Sequence, residues 1–177
     1  MNDIDPPDRF LVSAAIGWLG LGMFEEGLKE LDQVRPDLQD HLQVADVRWQ
    51  LNCRLGRWDE CATIGERLRR VHPDRVESWV HSAYAVRRAA GGGLKAAKKI
   101  LVVAMEKFPD ETIIPYNLAC YDCQLGLCEE CLCWLSIALK RSPNKTDRRR
   151  LIEMALADED LDPAKTAIRE LAETHKL

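Results

Sequence analysis

A cluster of cysteines between residues 120 and 133 has the residue types and spacing that best suit chemistry. The stretch CYDCQLGLCEECLC contains five of the chain's seven cysteines, arranged as two C-x2-C pairs with four residues between them. Four thiolates at such spacing are typical of a structural zinc site, and paired thiols are also typical of redox sensors. The alternative is that these thiols are small apolar side chains that fill contacts between helices.

Helical geometry favours the packing interpretation. Successive residues of an α-helix turn by about 100°, which places Cys120 and Cys123 on one face of a first helix and Cys128 and Cys131 on the apolar stripe of a second. Because a helix with its side chains is about 10 Å across, the two pairs are predicted to lie too far apart to share a metal ion. Cys120 and Cys123 are expected to face a ligand groove, and Cys133 is expected to face solvent. A metal or redox site on these cysteines stays open as the alternative function.

No other set of residues suggests catalysis or a cofactor. The four histidines are scattered along the chain and form no H-x3-H pair. Gly91-Gly92-Gly93 lacks the Lys and Ser or Thr that follow the glycines of a phosphate-binding loop. No nucleophile with a base and an orienting group can be assembled from the sequence. We therefore expect neither an enzyme nor a bound cofactor.

Composition and charge limit the class of protein. The 177 residues are 46% hydrophobic and 31% charged, which is typical of a globular protein with a core. No apolar run approaches the roughly 18 residues of a membrane helix, and the N-terminus is acidic rather than basic and apolar. A cytoplasmic location is therefore expected. The net charge of -4 includes only a modest basic excess in the middle of the chain, which argues against nucleic acid and fits an acidic peptide partner better.

Four stretches of the chain share one pattern and define an internal repeat. Each begins with Gly at a turn, continues as an amphipathic helix, and ends near a Pro that is usually followed by Asp or Asn. These prolines are Pro36, Pro73, Pro109 and Pro143, with spacings of 34 to 37 residues. A second helical stretch lies between each Pro and the next Gly. The pattern predicts an all-α fold of helix-turn-helix pairs.

With these features the sequence resembles the tetratricopeptide repeat (TPR) family over about residues 8–143. The clearest match lies in the fourth repeat. Its matching positions are Tyr116, Asn117, Leu118, Ala119, Leu125, Gly126, Ala138 and Pro143. The resemblance implies a right-handed α-solenoid of about four TPR-like repeats with capping helices at the C-terminus.

The repeats predict a division of the chain into segments. A disordered N-terminus is expected at residues 1–7 and a superhelical domain at 8–162. The predicted repeats are about 8–38, 39–74, 75–110 and 111–144, followed by a capping helix at 145–157 and an extra C-terminal helix at 163–177. The terminal helices would cover the apolar edge of the last repeat.

In the resembled family, the first helix of each repeat lines a concave groove that binds peptides. The resemblance implies that the groove is lined by Gln50, Arg54, Tyr84, Arg87, Arg88, Tyr116, Asn117, Cys120 and Gln124. Tyrosine offers flat apolar area with a hydrogen-bonding end, and arginine is suited to carboxylates. We therefore expect a non-enzymatic interaction module, such as an adaptor, scaffold or assembly chaperone, that binds an acidic peptide.

Two other interpretations remain. One is a cysteine-based metal-binding or redox-sensing protein on the same scaffold. The other is a homodimer formed through the first helix. Phe10, Leu11 and Trp18 lie on that helix, and no preceding repeat covers them.

Overall fold

The structure is a computed structural model that describes residues 4–175 of the chain. This part contains ten α-helices, two short 3-10 helices and no β-strand, which confirms the predicted all-α fold. None of the helices in the described part is long and apolar enough to cross a membrane. The chain divides into two compact units, Met1–Gly93 and Leu94–Leu177.

The first unit contains five α-helices. They are α1 (Asp8–Gly20), α2 (Phe24–Asp32), α3 (Leu42–Arg54), α4 (Trp58–Val71) and α5 (Val76–Arg88), with a 3-10 helix at Pro36–Leu38. The turn between α3 and α4 depends on Gly56, whose φ of 70° lies in the left-handed region that favours glycine. The predicted glycine turn therefore joins the two helices of this pair.

Two contacts connect segments of the first unit that are distant in sequence. The carboxylate of Asp8, at the start of α1, accepts hydrogen bonds from the backbone N–H and the Nε of Arg35, at 2.9 and 2.7 Å. Helices α4 and α5 approach closely, because a Cβ added to Gly65 would lie only 2.7 Å from the Cα of Ser82. The core cluster formed by α1, α2 and α3 contains the fully buried Leu31 and Leu51.

The second unit contains the remaining five α-helices. They are α6 (Leu94–Lys107), α7 (Ile113–Gln124), α8 (Cys128–Arg141), α9 (Lys145–Ala157) and α10 (Lys165–Thr174), with a 3-10 helix at Glu159–Ala164. Gly126, with a φ of 79°, makes the turn between α7 and α8. The 3-10 helix packs against both α7 and α8.

A buried carboxylate joins three helices of the second unit. Asp122 of α7 is fully buried and accepts two hydrogen bonds from Lys98 Nζ of α6, at 2.6 and 2.8 Å. Trp134 Nε1 of α8 donates a third hydrogen bond to Asp122, at 2.9 Å. Three hydrogen bonds from two donor groups satisfy the charge inside the unit, so the network sets the positions of α6, α7 and α8.

The described helices can be placed against the predicted segments. Helix α9 occupies the predicted capping segment, and α10 lies within the predicted extra helix. The third predicted repeat, 75–110, is divided between the units, since α5 belongs to the first and α6 to the second. Of the N-terminus predicted to be disordered, residues 1–3 lie outside the described residues and Ile4 is buried in the first unit's core. Residues 176 and 177 also lie outside the described part.

Candidate peptide-binding surfaces

The predicted groove residues of the first unit lie on α3 and α5. We call this set the first-unit surface: Gln50, Arg54, Tyr84, Arg87 and Arg88. Gln50 and Arg54 are exposed on α3, and the three residues of α5 are half-buried. Polar and cationic side chains of the first-unit surface are therefore accessible to solvent.

Aromatic rings hold one of the arginines in place. The guanidinium carbon of Arg88 lies 3.6 Å from the ring centroid of Tyr84 and 5.3 Å from that of Trp58. The two rings meet edge to face at 5.8 Å, and Arg88 Nη1 donates to the backbone oxygen of Tyr84 at 3.1 Å. Stacking of this kind orients the guanidinium while leaving other N–H donors unused.

Arg54 and Arg88 are two of the three arginines of the first-unit surface. Neither makes an ion pair with a carboxylate anywhere in residues 4–175. Both act on the half-buried thiol of Cys53, whose pKa is raised by burial and partly lowered by these two cations. Two guanidinium groups without carboxylates can bind an acidic ligand without first losing an internal partner.

A cleft of about 320 Å³ lies beside Gln50 and is also lined by Asp46 and Arg75. Arg75 Nη1 lies 3.7 Å from an Asp46 oxygen. Burial raises the pKa of Asp46, although Arg75 acts in the opposite direction. The cleft thus offers two amides, Gln43 and Gln50, and one ion pair. This mixture suits the backbone and polar side chains of a peptide rather than one strong charge.

The aromatic residues near this cleft are themselves packed. Trp49 stacks on His81 with ring centroids 4.2 Å apart and planes inclined by 10°. Burial lowers the pKa of His81, which favours the neutral imidazole. These rings therefore form a fixed wall of the first unit.

The predicted groove residues of the second unit lie on α7. We call this set the second-unit surface: Tyr116, Asn117, Cys120 and Gln124. Tyr116 and Cys120 are 6% and 3% exposed, so their side chains are covered. Gln124 is exposed, and Asn117 is half-buried with its amide donating to the Ile113 backbone oxygen at 2.8 Å.

The cover of the second-unit surface is a segment of the same chain, residues 158–164, which we call the acidic turn. Tyr116 donates its hydroxyl hydrogen to Asp158 Oδ2 at 2.9 Å, and the Cys120 thiol lies 3.6 Å from the same oxygen. Gln124 Nε2 donates to the backbone oxygen of Asp160 at 2.8 Å. Three of the four predicted α7 residues thus bind this turn.

The environment of Tyr116 keeps its hydroxyl protonated. Burial is the largest cause that raises its pKa, followed by the nearby Cys120 and the hydrogen bond to Asp158. A hydroxyl with a raised pKa remains a hydrogen-bond donor at neutral pH. Tyr116 can therefore recognise a carboxylate without carrying a charge.

The cysteines are placed differently from the prediction in two respects. None of the seven cysteines forms a disulfide in the described chain. The thiols of Cys123 of α7 and Cys131 of α8 lie close enough to shift each other's pKa, so the prediction that the two pairs lie too far apart to meet is wrong for these two residues. Cys128 is exposed instead of lying in the helix contact, whereas Cys133 is exposed as predicted. For Cys123, the reason is that α7 is buried on nearly all sides, so a single apolar stripe does not describe this helix.

The buried thiols are poorly suited to redox chemistry. Burial raises the pKa of both Cys61 and Cys131 to about 12. Thiols react and bind metals as thiolates, and these two stay protonated at neutral pH. Their positions inside helix contacts fit the packing interpretation.

One group of described residues could hold a metal ion by geometry. The ligand atoms of Cys120, Asp158 and Asp160 lie within 4.8 Å of one another. Tyr116 and Cys120 already direct hydrogens at Asp158 Oδ2. Hydrogen bonds therefore account for this arrangement without an ion.

The first helix presents part of its predicted dimer patch to solvent. Phe10 is 62% exposed. Leu11 packs partly against the core of the first unit, and Trp18 Nε1 donates to Glu30 at 3.3 Å. Of the three predicted residues, only Phe10 is exposed, and Ile16 of the same helix adds further exposed apolar area.

Sequence reasoning missed two parts of these surfaces. The repeat pattern gives Trp58 no place in the groove, although its ring lies against Tyr84 and Arg88. The pattern also gives no role to the acidic turn, although the run Asp158-Glu159-Asp160-Leu161-Asp162 directly follows the predicted capping helix. A dense acidic run in a chain predicted to bind acidic peptides was a signal that could have identified it.

Comparisons with known proteins agree on the fold. No protein-family model and no curated protein matches the sequence. Among solved structures, TTC0263, a thermophilic TPR protein from Thermus thermophilus, is similar over 94% of this chain and 90% of its own, with a TM-score of 0.64 and 16% identity. MamA MSR-1 is similar over 97% and 99% of the two chains, with a TM-score of 0.60 and 20% identity. MamA AMB-1 is similar over 94% and 92%, also with a TM-score of 0.60 and 20% identity.

These structural likenesses concern architecture. At 16 to 20% identity they establish a TPR-like fold of helix-turn-helix repeats and do not by themselves identify a ligand. The family resemblance found in the sequence is confirmed at the level of the fold.

Proposed function

We propose that the protein is a non-enzymatic interaction module that binds acidic peptide segments of a protein partner. The observation behind this proposal is the pair Arg54 and Arg88, two cations that act on the same thiol, Cys53, and have no carboxylate partner in the described chain. Arg88 also lies against the rings of Tyr84 and Trp58. Carboxylates of a peptide would form charge-assisted hydrogen bonds with the guanidinium groups, and its apolar side chains would lie on the rings.

A binding experiment tests this proposal without disturbing the core. The probe is a fluorescein-labelled random peptide pool enriched in Asp and Glu, compared with a pool enriched in Lys and Arg. Anisotropy should rise only with the acidic pool, and added salt should weaken the signal because the contacts are partly exposed. Equal binding of both pools would contradict the proposal.

Variants of exposed arginines locate the site. Arg54→Glu should weaken binding of the acidic pool by about tenfold, since it replaces a charge-assisted hydrogen bond by repulsion. Arg70→Glu is the matched control, because Arg70 is also exposed, lies on the neighbouring helix α4 and undergoes the same charge change. Similar losses for both variants would point to net charge rather than to this surface. Tyr116 is unsuited to this test, since it is buried.

Self-association through α1 is a second candidate role, favoured by the exposed ring of Phe10 and by Leu21, which is 72% exposed. Large exposed apolar side chains often lie in interfaces. Light scattering over a range of concentrations should then detect a dimer that Phe10→Ser weakens. A concentration-independent monomer mass would exclude this role.

A further inference from the structure

The acidic turn has the contacts of a bound peptide. One carboxylate oxygen, from Asp158, accepts the Tyr116 hydroxyl hydrogen, and one backbone oxygen, from Asp160, accepts the Gln124 amide hydrogen. One apolar side chain of the turn, Leu161, is fully buried. Peptide recognition commonly combines such backbone and side-chain hydrogen bonds with one apolar anchor.

The other side chains of the turn include several that face solvent. Glu159, Asp162 and Pro163 are exposed, and none of them forms a hydrogen bond with α7 in the described structure. The ion pair of Asp162 is local, with Lys165 three residues later. The polar contacts with α7 and the buried anchor therefore come from Asp158, Asp160 and Leu161.

The conformation of the acidic turn is weakly stable by itself. It is a 3-10 helix of six residues, Glu159–Ala164, with Pro163 inside it. Such helices have poorer hydrogen-bond geometry than α-helices and seldom exceed three or four residues. Four carboxylates within five positions also repel one another. The turn therefore depends on its contacts with α7 and α8 to keep this conformation.

We propose that the second-unit surface is a binding site for acidic turns containing an Asp followed three residues later by Leu, and that residues 158–164 are an internal ligand that a partner's segment replaces. This inference rests on the proposed function, because it gives the acidic partner a defined chemistry. Asp158 and Leu161 have that spacing in the internal ligand. The partner's aspartate accepts from Tyr116, its backbone accepts from Gln124, and its leucine fills the space of Leu161.

An internal ligand weakens the apparent affinity for an external one. The turn is tethered through α9, so its effective concentration at α7 is high. An external peptide binds only the fraction of molecules in which the turn has left. Weakening the turn should therefore strengthen peptide binding, whereas weakening the surface should reduce it.

The test uses the full chain and a fluorescein-labelled synthetic peptide with the sequence of residues 156–166. Leu161→Ala in the protein should bind this peptide at least about tenfold more tightly than the unaltered chain, because the internal anchor is lost. Adding Gln124→Ala to Leu161→Ala should reverse part of this gain. A peptide with Ala in place of its own leucine should bind neither protein.

A second pair of variants removes the dependence on Leu161, whose loss could unfold the unit. Asp158→Asn should tighten peptide binding by about fivefold, since a neutral acceptor makes a weaker hydrogen bond with Tyr116. Glu159→Gln is the matched control, with the same loss of one charge from a neighbouring side chain of the same turn, and should leave the affinity unchanged. Circular dichroism measures the helix content of each variant. If Leu161→Ala loses its helices, the comparison of Asp158→Asn with Glu159→Gln decides the test.

Two results would overturn the inference. One is equal affinity of the peptide for the unaltered chain, Asp158→Asn and Glu159→Gln. The other is that no protein form binds the peptide. Both leave the first-unit proposal standing, because that proposal is decided by Arg54→Glu and Arg70→Glu with a different probe.

Discussion

Arg54 and Arg88 in the first unit have no carboxylate partner in the described chain, whereas Tyr116 and Gln124 in the second already bind an acidic segment of the same protein. Both sets lie on helices that come first in their predicted pairs, and both were predicted to line one groove. The difference comes from the segments that lie further along the chain. Equivalent helix positions become open or covered according to which later segment packs on them.

The two units also differ in how their helices are held. In the first, Gly65 allows the backbones of α4 and α5 to approach, and the contact is steric. In the second, Asp122, Lys98 and Trp134 join three helices through a buried charge. Close backbone packing tolerates little added volume, while a buried charge tolerates no loss of a partner. Each unit should therefore be sensitive to a different kind of substitution.

The largest effect is expected for Lys98→Met. It leaves the fully buried carboxylate of Asp122 without its cation, which should lower the free energy of unfolding by about 3 kcal/mol. Urea unfolding measures the change, and hydrogen exchange should locate it in α6, α7 and α8. Lys99→Met, at the exposed neighbouring position, is the control and should have little effect. A loss spread evenly over both units would contradict the proposed difference between them.

The next effect is expected for Gly65→Ala in the first unit. The added Cβ would meet the Ser82 backbone at 2.7 Å, which should lower the free energy of unfolding by about 2 kcal/mol. Gly17→Ala is the matched control, since nothing lies within 4 Å of a Cβ there and alanine favours the helix. The control should be neutral or slightly stabilising. If both variants have the same free energy of unfolding in urea, the close approach of α4 and α5 is not what excludes a side chain at position 65.

A smaller effect should appear in the second unit at alkaline pH. The pKa of Tyr116 is raised in the folded chain above its ordinary value of about 10, chiefly by burial. The stability linked to its protonated form is present below a pH of about 10 and is lost as pH rises above that value. Tyr116→Phe should lower the free energy of unfolding by about 1 kcal/mol at neutral pH and should reduce the alkaline loss. An unchanged alkaline dependence of the urea midpoint would argue against burial of this hydroxyl.

The smallest effect is expected in the first unit at acidic pH. The pKa of Asp8 is lowered from its ordinary value, first by the hydrogen bond from the backbone of Arg35 and then by the guanidinium. The linked stability is present above a pH of about 4, the ordinary value for aspartate, and is lost as pH falls through the lower folded value. Asp8→Asn should flatten the acid dependence of the urea midpoint, whereas Asp74→Asn, at an exposed position, should not. Identical acid profiles for both variants would contradict this assignment.

Repeat periodicity predicted most of the fold because its determinants are local. Glycine with a positive φ at Gly56 and Gly126 makes the turns, and apolar positions at helical spacing mark the faces that must be buried. A TPR-like repeat is specified by such positions within about 34 residues. The structure accordingly contains the predicted helices, and solved TPR structures match it.

The candidate surfaces were predicted less completely because their state depends on distant contacts. Tyr116 was predicted to line the groove, but its exposure is decided by Asp158, 42 residues later. The contact of Cys123 with Cys131 and the role of Asp122 also depend on how α6, α7 and α8 pack together. The spacing of apolar residues along one helix contains no information about which residue of another helix will contact it.

The sequence by itself determined an all-α repeat fold and which residues lie on each face of a helix, because hydrogen bonding within helices and turn geometry act over a few residues. Only the tertiary structure decided that Arg54 has no carboxylate partner in the described chain and that Tyr116 binds the chain's own acidic turn. The physical reason is that exposure and charge pairing arise from contacts between segments far apart in sequence. Those contacts form only when the helices pack.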